Sequence, residues 1–370
     1  MSSFINAIGT AVPRYRIAQA DIADFMVSAL GLGGAEERRL TALYRASGIK
    51  YRHSVLPDFD KGERSVFFSK NTSLGTSPSM RDRMELYKQE ALNLSLAAVN
   101  DCIQSQHKIL KKDITHLISV SCTGMYAPGV DVELVTALGL SPHVQRSCVN
   151  FMGCYAAFNA LKIAHHIVGA DPEASVLIVC TELCTIHFQN DNDEDVILAN
   201  ALFADGASAI LVSGRNQKEH SQLSMEKFHC SLVPGGKQDM AWQLGNFGFE
   251  MKLSSYVPDI ISQGISQLTG QLMQKLDDKN GKWEPAYYAI HPGGKRILEV
   301  IEEQLGLTRE DNRYAYQVLK QYGNMSSPTV TFVLKALMND LTKADAGKGI
   351  LSFAFGPGLT LESMFLKIHR

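Results

Sequence analysis

Three residues of this 370-residue sequence have types and positions that suit acyl chemistry, and the first is Cys154. It follows an apolar run that ends at Gly153 and precedes a helical pattern, so we expect it at a helix N-terminus. There the free N–H groups and the positive end of the helix dipole favour a thiolate, which attacks acyl carbonyls and is also a good leaving group. A lone cysteine is more often a buried structural residue, and for Cys154 alone this alternative stays open.

His291 and Asn324 are the two residues that would complete such a site. His291 is the best candidate among eleven histidines because it ends a predicted strand and precedes Pro292–Gly294, where the backbone can approach a bound molecule. An imidazolium there would lower the pKa of the Cys154 thiol further. Asn324 offers a neutral amide donor that would join His291 in stabilising an oxyanion or enolate. The alternatives are a turn histidine and a helix N-cap asparagine.

The spacing of these residues indicates two similar halves. Ser121 ends a predicted strand 33 residues (154 − 121) before Cys154, and His291 ends another 33 residues (324 − 291) before Asn324. Cys154 and Asn324 each follow a glycine and precede small residues and an apolar helical pattern. In register, these matches favour an internal duplication. In such a fold the three residues would converge between the sheets of the two halves.

Hydrophobic periodicity predicts an α/β fold, in which short apolar strands alternate with helices that cover both faces of a sheet. The first hundred residues are expected to be mainly helical and connective, with a short strand at Lys50–Val55 and a polar surface excursion over Pro57–Pro78. The other predicted strands are Leu117–Ser121, Arg146–Asn150, Val176–Cys180, Ala207–Val212, Met225–Leu232, Tyr287–Ile290, Gly349–Ala354 and Leu359–Leu366. The predicted helices are Ala18–Leu30, Ala35–Ala46, Arg81–Gln106, Val130–Leu138, Cys154–Val168, Val196–Phe203, Val257–Leu276, Lys295–Leu305, Tyr314–Tyr322 and Val330–Leu341.

The polar stretch 214–222 is the best domain boundary. It divides the chain into an N-terminal half, 1–213, with the cysteine, and a C-terminal half, 223–370, with the histidine and asparagine. With 45% hydrophobic and 20% charged residues and a formal charge of -2, the chain is typical of a soluble globular protein and unlike a nucleic-acid binder. Neither a membrane span nor a signal peptide is indicated. Seven cysteines without disulfide or zinc spacing favour a cytoplasmic protein without a metal.

Five blocks of the sequence resemble the signature blocks of type III polyketide synthases, the chalcone and stilbene synthase family. The blocks are M-G-C-Y-A-A (152–157), A-L-F-A-D-G-A (201–207), I-H-P-G-G (290–294), Y-G-N-M-S-S (322–327) and F-G-P-G-L-T (355–360). They occur in the family's order, and the resemblance covers about Ser119 to Leu366. It implies a thiolase fold with duplicated α/β halves in a layered αβαβα arrangement. It also implies a homodimer that uses coenzyme A thioesters as substrates and no further cofactor.

The resemblance assigns roles to individual positions. Cys154 matches the acyl-accepting nucleophile, and His291 and Asn324 match the pair that stabilises the enolate left when malonyl-CoA loses carbon dioxide. That enolate attacks the thioester, and the chain returns to the cysteine for further rounds before it cyclises to a pyrone, a resorcinol or a related product. Phe203 and Phe249 match the two gatekeeper phenylalanines between the coenzyme A tunnel and the cavity.

The remaining expected substrate contacts surround the cavity. Cys184, His187 and Met240 replace two threonines and a glycine of plant chalcone synthases, and these changes resemble bacterial members, several of which use fatty acyl starters. The other expected substrate-binding residues are Cys122, Ser326, Gly356, Pro357 and Gly358. The residues expected to bind coenzyme A are Arg39, Arg45, Gly293 and Gly294.

Several other activities use the same residue types. A single-round ketoacyl synthase of the same fold also needs Cys, His and Asn, and a thiolase-fold protein that binds acyl-CoA without turnover is the non-enzymatic alternative. A hydroxymethylglutaryl-CoA synthase needs an additional catalytic acid, which the sequence does not identify. A papain-like hydrolase does not suit the duplicated α/β pattern.

Overall fold

The computed structural model describes residues 2–60, 67–68, 77–105, 111–216, 221–237, 239–276 and 283–370. The strands are β1 (Phe4–Ala11), β2 (Tyr15–Ala18), β3 (Tyr51–Ser54), β4 (His116–Ser121), β5 (Gln145–Asn150), β6 (Ser175–Leu183), β7 (Asp205–Ser213), β8 (Gln222–Leu232), β9 (Met240–Gly245), β10 (Gly248–Leu253), β11 (Pro285–Ile290), β12 (Gly349–Gly356) and β13 (Thr360–His369). The helices are α1 (Gln19–Ala29), α2 (Gly34–Ala46), α3 (Met80–Gln104), α4 (Val130–Leu138), α5 (Ala156–Ala170), α6 (Glu194–Leu202), α7 (Val257–Gln274), α8 (Lys295–Leu305), α9 (Arg313–Tyr322) and α10 (Thr329–Asp340).

Nine strands form one mixed sheet in the order β11-β12-β13-β8-β1-β7-β6-β4-β5. The strands β2 and β3 form a separate antiparallel pair, as do β9 and β10. The expectation of a distinct sheet in each half was therefore wrong in one respect, because β1 and β8 join the two sets of strands. That join is short, since only Phe4 with Ser224 and Ile5 with Leu223 are paired across it.

The two sides of the join repeat one pattern of strands. In the N-terminal half, β4 is parallel to β6, β6 is antiparallel to β7, and β7 is antiparallel to β1. In the C-terminal half, β11 is parallel to β12, β12 is antiparallel to β13, and β13 is antiparallel to β8. The same order and directions in both halves are the structural form of the expected duplication.

Helices form layers on both sides of these strands. On the outer face of the N-terminal strands, α3 packs against β1, β6 and β7; on the outer face of the C-terminal strands, α7 packs against β8 and β13. Between the two halves lie α5, which contacts β4 to β7 and also β13, and α10, which contacts β1, β7 and β11. Both central helices are apolar on most sides, as a helix between two sheets must be. The arrangement is the layered αβαβα order that the resemblance implied.

Each strand and helix predicted beyond residue 110 has a counterpart in the structure, but the short strand β2 and two larger features were missed. The first is β1, at the centre of the sheet, in a segment expected to be helical or connective. Its pattern is broken by Asn6, which is buried because it donates to Gln222 Oε1 at 3.0 Å and accepts from Ser213 Oγ at 2.8 Å. The second is the β9–β10 hairpin. Parts of the predicted excursion at 57–78 and of the boundary at 214–222, and the last residue of the helix Arg81–Gln106, lie outside the described residues.

The packing of β1 against α3 can be tested by adding one methyl group to β1, at Gly9. A Cβ on Gly9 would lie 2.1 Å from Ala98 O and 2.2 Å from Cys102 N, which are backbone atoms of the helix. Gly9→Ala is therefore expected to lower the free energy of unfolding by about 3 kcal/mol or more, measured by urea denaturation. The matched control is Gly270→Ala on α7, where a Cβ meets no atom within 4 Å and is expected to stabilise by about 0.5–1 kcal/mol. Equal stability of the two variants would contradict the packing of β1 on α3.

Candidate active site

Cys154 lies in a 3₁₀ turn, Gly153–Tyr155, that leads directly into α5, at the start of the helical segment as predicted. Gly153 has a φ of 74°, which favours glycine. Its missing side chain also admits Pro357, since a Cβ would lie 2.4 Å from the proline Cδ. The Gly153 N–H donates to Cys122 Sγ at 3.0 Å. The Cys154 side chain is thus held at the junction of a tight turn and a buried helix.

His291 follows β11 directly and is completely buried. Its backbone N–H donates to Phe353 O of β12 at 2.8 Å, which fixes the residue at the end of the sheet. Neither ring nitrogen has a hydrogen-bond partner among the described residues. A buried polar atom without a partner is destabilising, so it marks a position where a ligand or water is expected to bind. The imidazole thus keeps its donor and its acceptor available.

Asn324 is fixed by backbone hydrogen bonds to the other half of the chain. Its N–H donates to Leu202 O at 2.9 Å, and its carbonyl accepts from Ala204 N–H at 2.8 Å. It is not a helix N-cap, because α10 begins five residues later, at Thr329. The N-cap alternative is therefore excluded.

The Asn324 amide is oriented toward the cysteine. Its Oδ1 accepts from Ser326 N–H at 2.9 Å, and its Nδ2 donates to Gly293 O at 3.2 Å. Both side-chain atoms lie 3.9 Å from Cys154 Sγ. Ser326 has a φ of 58°, a strained conformation for a residue with a side chain. Strain of this kind persists where the surroundings define one geometry, as they do here.

These three side chains line one cavity with a free volume of about 30 Å³. Most of the lining is apolar, which suits a hydrocarbon chain anchored at a few polar groups. Expected substrate-binding residues that line this cavity are Cys122, Cys184, Phe203, Met240, Ser326 and Pro357. Lining residues that the sequence analysis missed include Thr123, Trp242, Met251, Leu253, Ile297 and Phe355.

Burial governs the charge state of the cysteine and the histidine. It raises the pKa of the Cys154 thiol to about 12, against smaller lowering effects from hydrogen bonds with Ser326 and Asn324. Burial also lowers the pKa of His291 to about 3. The expectation that a helix N-terminus and an imidazolium would leave a thiolate therefore does not describe this site. Each group by itself favours its neutral form, because desolvation disfavours charge.

Glu182 is a buried acid near the cavity that the sequence analysis missed. It lies on β6 and accepts from Ser327 Oγ at 2.6 Å, Thr123 Oγ1 at 2.7 Å and Cys122 N–H at 2.9 Å. Burial raises the pKa of this carboxyl to about 7, while these hydrogen bonds oppose the rise. A single glutamate in the apolar strand was the signal available in the sequence, but its partners are distant in sequence.

Phe203 and Met251 both line the cavity of Cys154 and a neighbouring cavity of about 50 Å³. Phe203 is thus at the boundary between two chambers, as a gatekeeper would be. Phe249 lines only the second cavity, where its ring stacks on His187 with centroids 4.5 Å apart. His187 also lines only the second cavity. Cys184 and Trp242 also line both cavities, so Phe203 shares the boundary with these two residues and Met251, and not with Phe249.

Of the three residues expected to shape the cavity floor, only the proline lines the cavity. Pro357 lines the cavity, whereas the glycines on either side do not. Gly356 packs against Tyr155, where a Cβ would lie 2.4 Å from the ring, and Gly358 has a φ of 135°. Both glycines therefore shape the backbone around the proline.

The residues expected to bind coenzyme A are not gathered in one place. Arg39 is exposed and pairs with Glu194 at 2.5 Å. Arg45 instead lines a surface groove together with four other cations, described below. Gly293 lines the cavity of Cys154, and Gly294 directly precedes α8.

Two further observations concern the described residues. No helix among them is both long enough and apolar enough to cross a membrane. Within the same residues, no cluster of three or more His, Cys, Asp or Glu side chains has an arrangement that could hold a metal ion.

Two family models match the chain over nearly its whole length. The model described as "Chalcone and stilbene synthases, N-terminal domain" matches residues 2–216, and the corresponding C-terminal domain model matches residues 224–369. The chain belongs to the chalcone and stilbene synthase family. The predicted family, the type III polyketide synthases, and its class, the acyltransferases, are thereby confirmed.

Individual relatives of this family member agree in fold and class. Probable polyketide synthase 1 of Dictyostelium discoideum is 31% identical over 373 residues, which span 99% of this chain but 11% of that protein. The alpha-pyrone synthesis polyketide synthase-like Pks18 of Mycobacterium tuberculosis is 30% identical over 369 residues, spanning 99% of this chain and 91% of that protein. The C-terminal type III polyketide synthase domain of Steely1, a type I/III hybrid from Dictyostelium, is 29% identical with a TM-score of 0.90, covering both chains completely. The predicted thiolase fold is confirmed.

The charge states of Cys154 and His291 predict how the thiol reacts. In His291→Asn the buried thiol loses its nearby proton acceptor, so its pKa is expected to stay above 9, and alkylation by iodoacetamide at pH 8 is expected to slow at least tenfold. Because a raised thiol pKa leaves less thiolate, the rate in this variant should still be rising at pH 9. The measurement is peptide-resolved mass spectrometry of Cys154 from pH 6 to 10. The exposed Cys230 serves as the internal standard. Identical pH profiles with and without the histidine would contradict a proton exchange between the two residues.

Proposed function

We propose that this chain condenses malonyl-CoA units, in repeated rounds, onto an acyl group held as a thioester on Cys154, and then releases a cyclised product. The observation that carries the proposal is the single cavity in which a cysteine thiol lies beside Asn324 and the unpartnered imidazole of His291. Membership of the chalcone and stilbene synthase family supports the reaction class. The relative named for alpha-pyrone synthesis supports a pyrone, a resorcinol or a related ring as the product.

In the loading step, Cys154 transfers its proton to His291 while its sulfur attacks the carbonyl carbon of an acyl-CoA. The bond between that carbon and the coenzyme A sulfur then breaks, and the departing thiolate takes the proton from His291. The products are the Cys154 thioester, neutral imidazole and free coenzyme A. Because the thiol pKa is raised and the imidazole pKa is lowered, both groups favour their neutral forms. The proton therefore leaves the imidazole again after each transfer.

In the extension step, malonyl-CoA loses carbon dioxide, and the electrons of the broken C–C bond form an enolate. The enolate oxygen accepts hydrogen bonds from the His291 ring and from Asn324 Nδ2, which act as an oxyanion hole. A neutral imidazole suits this task, because it donates a hydrogen bond while staying in its favoured charge state. The enolate carbon attacks the thioester, the Cys154 thiolate leaves, and the chain on coenzyme A is two carbons longer.

Because the cavity is small, a single-round ketoacyl synthase is the second candidate for the function. The free volume of about 30 Å³ holds little more than two water molecules. Repeated extension therefore requires Met240, Trp242 or Met251 to move, or the chain to pass into the second cavity. Methionine side chains can make such room because they are unbranched and flexible. An acyl-CoA-binding protein without turnover is the third candidate, and the same experiment distinguishes all three.

The deciding experiment is mass spectrometry after incubation with malonyl-CoA and a series of starters from acetyl-CoA to palmitoyl-CoA and coumaroyl-CoA. Products with two or more malonate-derived units, and acyl adducts on Cys154, are expected. Cys154→Ala is expected to lose at least about 10³-fold in product formation, since it removes the nucleophile. A product of one extension would favour the ketoacyl synthase, an adduct that never extends would favour the binding protein, and full activity of Cys154→Ala would refute the mechanism.

We also propose that the phosphates of coenzyme A bind in the surface groove between α2 and α9. Five cations line this groove, and no carboxylate is among its lining residues. The cations are Arg45, Lys295, Arg309, Arg313 and Lys320. Lys295 is two residues from both Gly293 and Ile297, which line the cavity of Cys154, so α8 begins between the groove and the cavity. Lys295 and Arg313 also pair with glutamates outside the groove, Glu299 at 3.4 Å and Glu310 at 3.5 Å. Arg39 suits the role less well, because it does not line the groove and pairs with Glu194.

If the groove binds the phosphates, removal of its cations should weaken the binding only of substrates that carry the nucleotide of coenzyme A. Arg45→Ala/Lys320→Ala is expected to raise KM for malonyl-CoA about tenfold with kcat within about twofold, because the lost contacts are made equally in the ground and transition states. Steady-state kinetics with malonyl-CoA and with the malonyl thioester of N-acetylcysteamine, which lacks the nucleotide, provide the measurement. The second substrate should show no change, and Arg39→Ala is the matched control. Equal defects for both thioesters would contradict phosphate binding here.

A homodimer remains part of the proposal, and the edge of the main sheet supports it. β5 is the last strand in the sheet order, and four of its residues, Gln145 to Cys148, are exposed. Met125, near this edge in sequence, is 55% exposed. An unpaired edge with an apolar neighbour is typically covered by another chain. A monomer mass in sedimentation equilibrium would contradict the homodimer.

We keep a cytoplasmic location as a prediction, supported by the seven cysteines, all of which are free.

A further inference from the structure

Arg52 is a buried arginine from β3 that lines the second cavity together with Phe203. Among the described residues, its guanidinium makes no hydrogen bond to Cys154, His291 or the Asn324 side chain. It is 4% exposed. Its Nη1 donates to Asn200 O at 2.7 Å and to Phe203 O at 2.6 Å, and its Nε donates to Gln19 Oε1 at 2.8 Å. Gln19 in turn donates from Nε2 to Ala201 O at 2.8 Å. The arginine and the glutamine thus act together on one short turn.

That turn is the C-terminal end of α6, where the last carbonyls of a helix lack partners within the helix. The carbonyls of Asn200 and Phe203 are taken by Arg52, and that of Ala201 by Gln19. The carbonyl of Leu202 accepts from the Asn324 N–H. A cation at this end of a helix is also favoured by the helix dipole. Every carbonyl of the turn is therefore held from outside the helix, one of them by Asn324 itself.

Arg52 also packs directly against the segment that carries Asn324. A Cβ on Gly323 would lie 2.9 Å from Arg52 Cγ and 3.0 Å from Leu202 O, so the arginine stem fills the space beneath that glycine. Gly323 has a φ of 71°, and the turn it makes brings Asn324 back toward α6. The backbone of Asn324 is then bonded to Leu202 and Ala204 on the two sides of Phe203.

We infer that Arg52, supported by Gln19, is a positioning residue that sets where the Asn324 amide and the Phe203 ring lie in the cavity. This inference rests on the proposed role of Asn324 in stabilising the malonyl-derived enolate. Arg52 acts at a distance, by fixing the α6 turn to which the Asn324 backbone is bonded. Its loss therefore affects decarboxylation, which uses Asn324, more than the loading of Cys154, which uses the cysteine and His291.

The test compares two partial reactions of the full-length protein. Malonyl-CoA decarboxylation without a starter is followed by acetyl-CoA formation, and loading is followed as the rate of Cys154 acylation by intact-protein mass spectrometry. Arg52→Met is expected to lower the kcat of decarboxylation by about tenfold to a hundredfold, because a displacement of about 1 Å at the reacting centre has effects of this size. Acylation is expected to stay within about threefold. Arg52→Lys, which retains one donor group, is expected to fall between the wild type and Arg52→Met.

A second buried arginine provides the matched control. Arg83 is 1% exposed and donates to the backbone carbonyls of Pro78, Ile186 and Phe188, but the structure gives it no contact with the α6 turn. Arg83→Met is expected to lower thermal stability without changing the ratio of decarboxylation to acylation. If Arg52→Met does not fold, Gln19→Met replaces it in the test. Gln19→Met is expected to lower the ratio of decarboxylation to acylation as well, but by a smaller factor.

The outcomes separate this inference from the proposed function. A ratio unchanged in both the Arg52 variants and Gln19→Met would overturn the positioning role, as would an equal change in Arg83→Met. If the wild-type protein neither loads Cys154 nor decarboxylates malonyl-CoA, the proposed function fails before any variant is compared. A lowered ratio in Arg52→Met, partly restored in Arg52→Lys, would establish the role.

Discussion

The backbone hydrogen bonds between Asn324 and the Leu202–Ala204 turn are the contact on which the site depends. The cysteine belongs to one half of the chain and the histidine and asparagine to the other, so the site exists only where the halves meet. Two side-chain links lie at the same junction, from Ser327 to Glu182 at 2.6 Å and from Lys162 to Glu362 at 2.6 Å. All three links are largely buried, where an unmade hydrogen bond costs about 1–3 kcal/mol. The halves, which are parts of one chain, are thus held in register at the site by these non-covalent contacts.

Burial has opposite consequences for the two proposed reactions. It keeps His291 neutral, which suits a hydrogen-bond donor to an enolate, but it also raises the pKa of the Cys154 thiol, which opposes nucleophilic attack. The second effect is offset only if the proton moves a short distance to a base in the same cavity. Because neither His291 ring nitrogen has a hydrogen-bond partner among the residues that the structure describes, His291 is the candidate for that base. One cavity would therefore serve both proposed steps, with a single proton that moves between Cys154 and His291.

The sequence predicts Cys154, His291 and Asn324 as candidate site residues, and most of the sheet, because these follow from local signals. A glycine before Cys154, a strand end at His291 and the apolar strands are each visible within a few residues. β1 was missed because its alternation is broken by Asn6 and Gly9, whose roles arise from contacts with distant parts of the chain. Glu182 was missed for the same reason, since its donors lie on other elements. The boundary between the two cavities passes Met251 and not Phe249, a distinction that depends on how the β9–β10 hairpin packs.

At this site the backbone fold determines the positions of the three candidate side chains, but it does not determine the space in front of them. The turn at Gly153, the bridge to Asn324 and the end of β11 are backbone features, and any chain that forms them places the same three side chains together. The space in front of them is instead filled by Met240, Met251 and Trp242, which come from the β9–β10 hairpin outside the main sheet. A two-stranded hairpin on its own is weakly stabilised, so its packing is set by its neighbours more than by its own pairing. The proposed reaction type therefore depends on the sheet and the central helices, while the free space in the cavity depends in part on this hairpin.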